Sequence, residues 1–197
     1  MTKRKTFIAL LSIVGVLGVT SVSYERMVEL KHSADTAVVL QKDSEDEFWQ
    51  GRGFTDIEKE ILHFFQARGI TDRRALSVIL GNIRHESQMN PRICEGGAVT
   101  GYKRCWTGGF GLIQWTTVGR YDGLGRFARN YGLDPNDLKT QLRYIYQERE
   151  WKSIQHIFET PGLSHEQYMK AAYRWLGWGV YGARGTYSVN YYGRLHK

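Results

Sequence analysis

Between Ala75 and Ile83 the apolar residues Ala75, Leu76, Ile79, Leu80 and Ile83 recur at three- and four-residue spacing, the pattern of one buried helical face. The helix this predicts starts near Thr71–Asp72 and runs to about Met89, with Pro91 just beyond. Continued by three and four residues, the stripe reaches Glu86 and Ser87. A carboxylate is thus expected to point inward at the C-terminal end of a helix. Partial burial and the negative end of the helix dipole both favour the protonated carboxyl there, the form needed to donate a proton. A second arrangement is a satisfied structural acid, paired with Arg84, His85 or a distant arginine.

Other local signals surround this helix. Thr55-Asp56-Ile57-Glu58 reads as a capping box followed by a face of Ile57, Ile61, Phe64 and Phe65, and the folded part begins near Phe54. Residues 91–119 hold seven glycines and both cysteines and read as a loop or short hairpin. A short helix is predicted over Asp122–Tyr131. Asp134-Pro135-Asn136-Asp137 reads as an Asp cap with proline in the first turn, feeding Leu138, Leu142, Ile145 and Tyr146. Ser164-His165-Glu166-Gln167 is a second capping box, feeding Met169, Ala172, Tyr173 and Leu176, and the tail from Gly177 reads as irregular. The fold class is α+β, predominantly helical, with a glycine-rich loop or small β hairpin. No βαβ alternation supports a nucleotide-binding sheet.

The chain also carries an address. Lys3-Arg4-Lys5 precedes 18 uncharged residues, Phe7 to Tyr24, which is short for a bilayer span and only weakly apolar. The basic side stays cytoplasmic, which sends the remainder across the membrane. An uncleaved signal-anchor is favoured over a cleaved signal peptide, because the small-residue motif near Ser21-Val22-Ser23 is poor. The organisation expected is residues 1–24 as transmembrane or signal segment, 25–52 as linker, and 53–197 as the folded domain. Export suits Cys94 and Cys105, which have ten residues between them and can close a loop worth about 3 kcal/mol if paired; two free thiols are the alternative. The net charge of +7, three of it in Lys3, Arg4 and Lys5, favours a polyanionic partner without choosing one. No basic run beyond the N-terminus and no zinc-finger spacing points to nucleic acid. His63, His85, His156 and His165 lack ligand spacing with acids, so no metal or cofactor is expected.

The segments Glu86-Ser87, Asn90-Pro91 and Gly109-Phe110-Gly111-Leu112-Ile113-Gln114-Trp115-Thr116 occur in one order. Together with Ile79-Leu80-Gly81-Asn82-Ile83 they resemble the lysozyme-like glycan cleavers: goose-type lysozymes, lytic transglycosylases and, most closely, the phage tail lysozyme family. The resemblance covers roughly residues 56–150. It implies that Glu86 is the catalytic acid and that Gln114 hydrogen-bonds the glycan. It implies that Trp115 packs under a sugar, with a buried core tryptophan as the alternative, and that Ser87 and Gly111 belong to the substrate site, Gly109 and Gly111 letting backbone approach the sugar. Arg120 and Arg126 are candidate partners for acidic or N-acetyl groups. Tyr187, Tyr191 and Tyr192 are candidate groove aromatics, with plain packing as the alternative.

The second carboxylate used by many glycosidases is not obvious. Glu95, nine residues after Glu86, and Asp122 are the candidates, with Glu148 a third; Thr100 follows Glu95 by five. Hydrolysis and transglycosylation both stay open. The resemblance implies cleavage of the MurNAc–GlcNAc bond of peptidoglycan glycan strands by a monomer held at the inner membrane through residues 7–24, as a phage endolysin. The alternatives are a non-catalytic peptidoglycan-binding protein and a local wall-opening enzyme of a virion or secretion apparatus. Such chemistry requires Glu86 to sit half-sheltered beside a sugar-sized cleft rather than turned to open solvent or locked against an arginine with no cleft nearby.

Overall fold

Thr55 caps helix α1 (Asp56–Gln66) through the reciprocal bonds of a capping box, and Asp72 caps α2 (Arg73–Ser87) by accepting from the amides of Arg74 and Ala75. The remaining helices are α3 (Val118–Asn130), α4 (Leu138–Ile145), α5 (Arg149–Lys152), α6 (Gln155–Glu159), α7 (His165–Leu176) and α8 (Arg184–Arg194). Strands β1 (Gln50–Gly51) and β2 (Leu195–His196) pair antiparallel, Gln50 opposite His196. This computed structural model describes residues 48–105 and 109–197. The apolar segment 7–24 and linker residues 25–47 lie outside the described residues. Among the described residues no helix is long and apolar enough to cross a membrane.

Helix α2 is central rather than one-faced: every residue from Ala75 to Ile83 is buried. The apolar stripe accounts for one side, and α8 accounts for the other. A Cβ on Gly81 would lie 2.3–2.7 Å from Ser188 Oγ, N and Cα, so only glycine admits this approach. The tail beyond Gly177 is therefore irregular only over 177–183, and not to its end as its composition suggested. Its buried positions Arg184, Ser188 and Tyr191, with Leu195 just after, are mostly polar in type and gave no apolar stripe to read.

Two other elements differ from expectation. Helix α3 begins at Val118, capped by the Thr117 hydroxyl, a turn before Asp122. Asp134 does not cap a helix: its Oδ1 accepts from Asn136 N and Nδ2, and α4 starts only at Leu138. The second capping box is present, Ser164 with Gln167, and α7 buries Tyr168, Met169, Ala171, Ala172 and Trp175, while Tyr173 stays exposed. Ile57 is likewise outside the core at 37% exposed.

The glycine-rich stretch carries isolated bridges, Ile93 with Val99, Cys94 with Phe110 and Phe110 with Trp115, plus two 3-10 turns, Glu95–Gly97 and Tyr102–Arg104. Cys94 and Cys105 are disulfide-bonded, Cα atoms 5.7 Å apart. Trp49 joins the domain through bonds with the Gln66 side chain, and Arg52 donates to the Arg194 carbonyl, so residues counted with the linker pack on the helical unit.

Candidate active site

Glu86 occupies the last turn of α2, its side chain 14% exposed. The helix stops through Gln88 and Met89, both in the left-handed region (φ 52° and 66°), and Asn90 N donates back to the Ser87 carbonyl. Gln114 (φ 52°) is the third such non-glycine residue among those described. All three lie in or beside the segments singled out by sequence, and left-handed backbone outside glycine is a strained arrangement that concentrates at functional sites.

The Glu86 carboxylate is not alone. Arg184 Nη2 donates to its Oε1, while Arg184 Nη1 donates to the carbonyls of Val180 (2.7 Å) and Tyr181 (3.1 Å) and the guanidinium lies 4.7 Å over the Trp178 ring. The Arg184 side chain is 5% exposed. Among the described residues Oε2 of Glu86 has no hydrogen-bond partner. Neighbouring His85 packs against Gly182 and is held below its ordinary pKa, first by burial and then by the Arg184 charge. Glu86 is half-sheltered at the helix end as expected, and it is paired with a distant arginine, the second arrangement that the sequence left open. Two residues before it on the same helix, Arg84 lines a concavity of about 420 Å³ together with Thr186, Tyr187 and Tyr191.

Several other expectations change once the glycine-rich segment is folded. Trp115 is fully buried, its Nε1 donating to Glu148 Oε1, so its ring cannot pack under a sugar. Arg120 is bound to the other oxygen of Glu148 (2.6 Å) and is engaged inside the fold. Glu148 is thereby excluded as a free second acid. Burial pushes its pKa up, opposed by Arg120 and Trp115. Ser87 is buried with its hydroxyl on the Ile83 carbonyl. Gly111 (φ 75°) has its missing Cβ directed at the Gln141 amide 2.6–2.9 Å away, so glycine serves interior packing there, not approach to a sugar. Gly109 likewise makes room for the Gln114 side chain. Gln114 Nε2 donates to the Ile93 (3.2 Å) and Gly111 (3.0 Å) carbonyls, tying the glycine-rich turn to the strand-like segment after α2.

Tyr187 is half-buried, its ring 6.3 Å from His85 and so next to the Glu86 turn. Tyr191 is largely buried and donates to Glu58, its remaining edge lining the same concavity as Tyr187, and Tyr192 lies under Arg73. Glu95, Asp122 and Arg126 are exposed. The Thr100 hydroxyl lies 3.1 Å from Cys94 Sγ. Sequence reasoning missed Arg184 and Trp178, because their roles come from α8 docking on α2. The one available signal was the four-residue recurrence of Arg184 and Ser188, legible only if polar residues are allowed to face a core.

With this geometry in hand, residues 56–178 match the family model described as phage tail lysozyme. This chain belongs to the phage tail lysozyme family. The match spans Glu86-Ser87 and the whole glycine-rich segment through Trp115, and it supports a lysozyme-like, peptidoglycan-degrading function. No curated protein and no solved structure matches the chain. Arg184 and the rest of α8 lie beyond the matched residues of this phage tail lysozyme family member.

Proposed function

We propose that this member of the phage tail lysozyme family is a glycosidase that cleaves the MurNAc–GlcNAc bond of peptidoglycan, with Glu86 as proton donor. The observation that carries the reading is the end of α2. Inside the family-matched region, a partly exposed carboxylate is fixed by a buried arginine on one oxygen and open on the other. Arg184 fixes the direction of the group, and Oε2 is the oxygen that takes up a proton and passes it to the glycosidic oxygen. Positioned proton transfer of this kind contributes about 10²–10⁴-fold to rate.

The Lys3-Arg4-Lys5 start and the apolar run 7–24 support export, with the protein acting outside the cytoplasm at the inner membrane as a phage endolysin. Glu95 and Asp122 are the acids left to serve as base or nucleophile. If neither does, the sugar's own groups complete the reaction and an anhydro product forms.

The Glu86–Arg184 pair also favours a second reading, a lysozyme fold that grips peptidoglycan without cutting it. One experiment separates the two. Glu86→Gln is expected to keep the thermal melt and abolish release of soluble muropeptides from cell walls. Unchanged release removes Glu86 from the chemistry, and mass analysis of wild-type products distinguishes hydrolysis from anhydro-sugar formation.

A further inference from the structure

A concavity of about 670 Å³ lies between the Tyr102–Arg104 turn, α3 and the loop 133–136. Ala128, Leu133 and Pro135 give it an apolar floor, and Lys103, Arg104 and Arg129 stand exposed around it. Among the described residues none of these three cations is ion-paired. One acid, Asp134, belongs to the lining, and its Oδ1 is occupied by Asn136. The walls are fixed. Tyr102 stacks on Tyr121 at 4.3 Å, its amide donates to Asn136 Oδ1 (2.7 Å), and the disulfide to Cys94 closes the same turn at Cys105.

The groove is also tied to the chain that leaves Glu86. The fully buried Gln141 amide donates to the carbonyls of Pro91 (2.6 Å) and Pro135 (2.9 Å) and accepts from Leu112 N (2.9 Å). One side chain thus fixes the groove wall, the segment after α2 and the glycine-rich turn in a single register.

We propose that this groove binds the short carboxylate-bearing peptide that branches from the peptidoglycan glycan. The proposal rests on the glycan-cleaving reading for its substrate class. Uncharged sugar rings offer three unpaired cations hydrogen-bond acceptors but no opposite charge, whereas a peptide with free carboxylates supplies it, and its alkyl side chains cover the apolar floor. A polyphosphate would satisfy the cations but leave that floor open to water.

The test reads binding in the Glu86→Gln background, so that it reports whether or not the protein cuts. The probes are cell-wall sacculi freed of teichoic acid, the same sacculi stripped of peptides by an amidase, and a soluble polyphosphate. Lys103→Glu/Arg129→Glu is expected to weaken binding to intact sacculi about tenfold and to erase the preference for intact over stripped walls. Arg129→Gln, the milder change, should shift in the same direction by less. Two outcomes overturn the proposal: a parent protein with no preference for peptide-bearing walls, or an equal loss from Lys152→Glu/Arg174→Glu, two exposed cations away from the groove. Loss of polyphosphate binding alone, with sacculi unaffected, overturns it as well. Unchanged muropeptide release by Glu86→Gln would instead remove Glu86 from the chemistry and leave the peptide site standing.

Discussion

Two carboxylate–arginine pairs in this molecule have the same chemistry and opposite settings. Glu148 is 1% exposed in its side chain and has both oxygens engaged, by Trp115 Nε1 and Arg120. Glu86 is 14% exposed and has one oxygen engaged, by Arg184. The first is closed by the fold and can only hold things together. The second is fixed on one side and reachable on the other, which is the arrangement a proton donor needs. An arginine partner therefore does not by itself decide whether an acid is structural; the count of engaged oxygens and access to solvent do.

The largest effect expected is on turnover. Glu86→Gln should lower muropeptide release about 10²–10⁴-fold with the melt nearly unchanged, while Glu148→Gln should do the reverse, retaining specific activity in whatever fraction folds. Equal activity losses in the two variants would erase the contrast. Next, Glu148→Ala strands the Arg120 guanidinium and the Trp115 N–H inside the fold, and chemical denaturation should register a loss of about 3–5 kcal/mol. A loss under one-third of that would mean the pair is more open to water than its burial indicates.

Gly81→Ala comes third. Its new methyl meets the Ser188 backbone and must push α8 outward, at about 1–3 kcal/mol. Because α8 carries Arg184, activity should fall together with stability. An intact melt with full activity would show that the helices separate without disturbing Glu86.

The smallest effect is a pH slope. Burial raises the Glu148 pKa above its ordinary value near 4.5, so the folded chain keeps a proton there that the unfolded chain has lost. This contribution is fully present below the unfolded value and is lost as pH rises through the folded one. In Glu148→Gln the stability curve should lose that decline; an unchanged slope would assign the decline to other groups.

The reach of the sequence is clearest at helix starts. Thr55 with Glu58 and Ser164 with Gln167 cap as their spacing predicts, because a cap is an interaction within four residues and needs nothing distant. Asp134 looked like the same signal and was not. Its carboxylate is taken by Asn136, and Asn136 is held in turn by Tyr102, 34 residues away. The disulfide was legible as one of two states of Cys94 and Cys105, and the structure has the bonded one.

What the chain determined alone was the stripe from Ala75 to Ile83 that delivers Glu86 to a helix end, since helical periodicity and burial are properties of neighbouring residues. Tertiary packing decided which side chains that helix end would meet. Trp115 turned inward to Glu148, Arg120 followed it, and Arg184 arrived from a helix 98 residues later that composition had hidden. Ion pairs and buried amides are chosen by what lies across a few ångströms of space, and no local rule carries that distance.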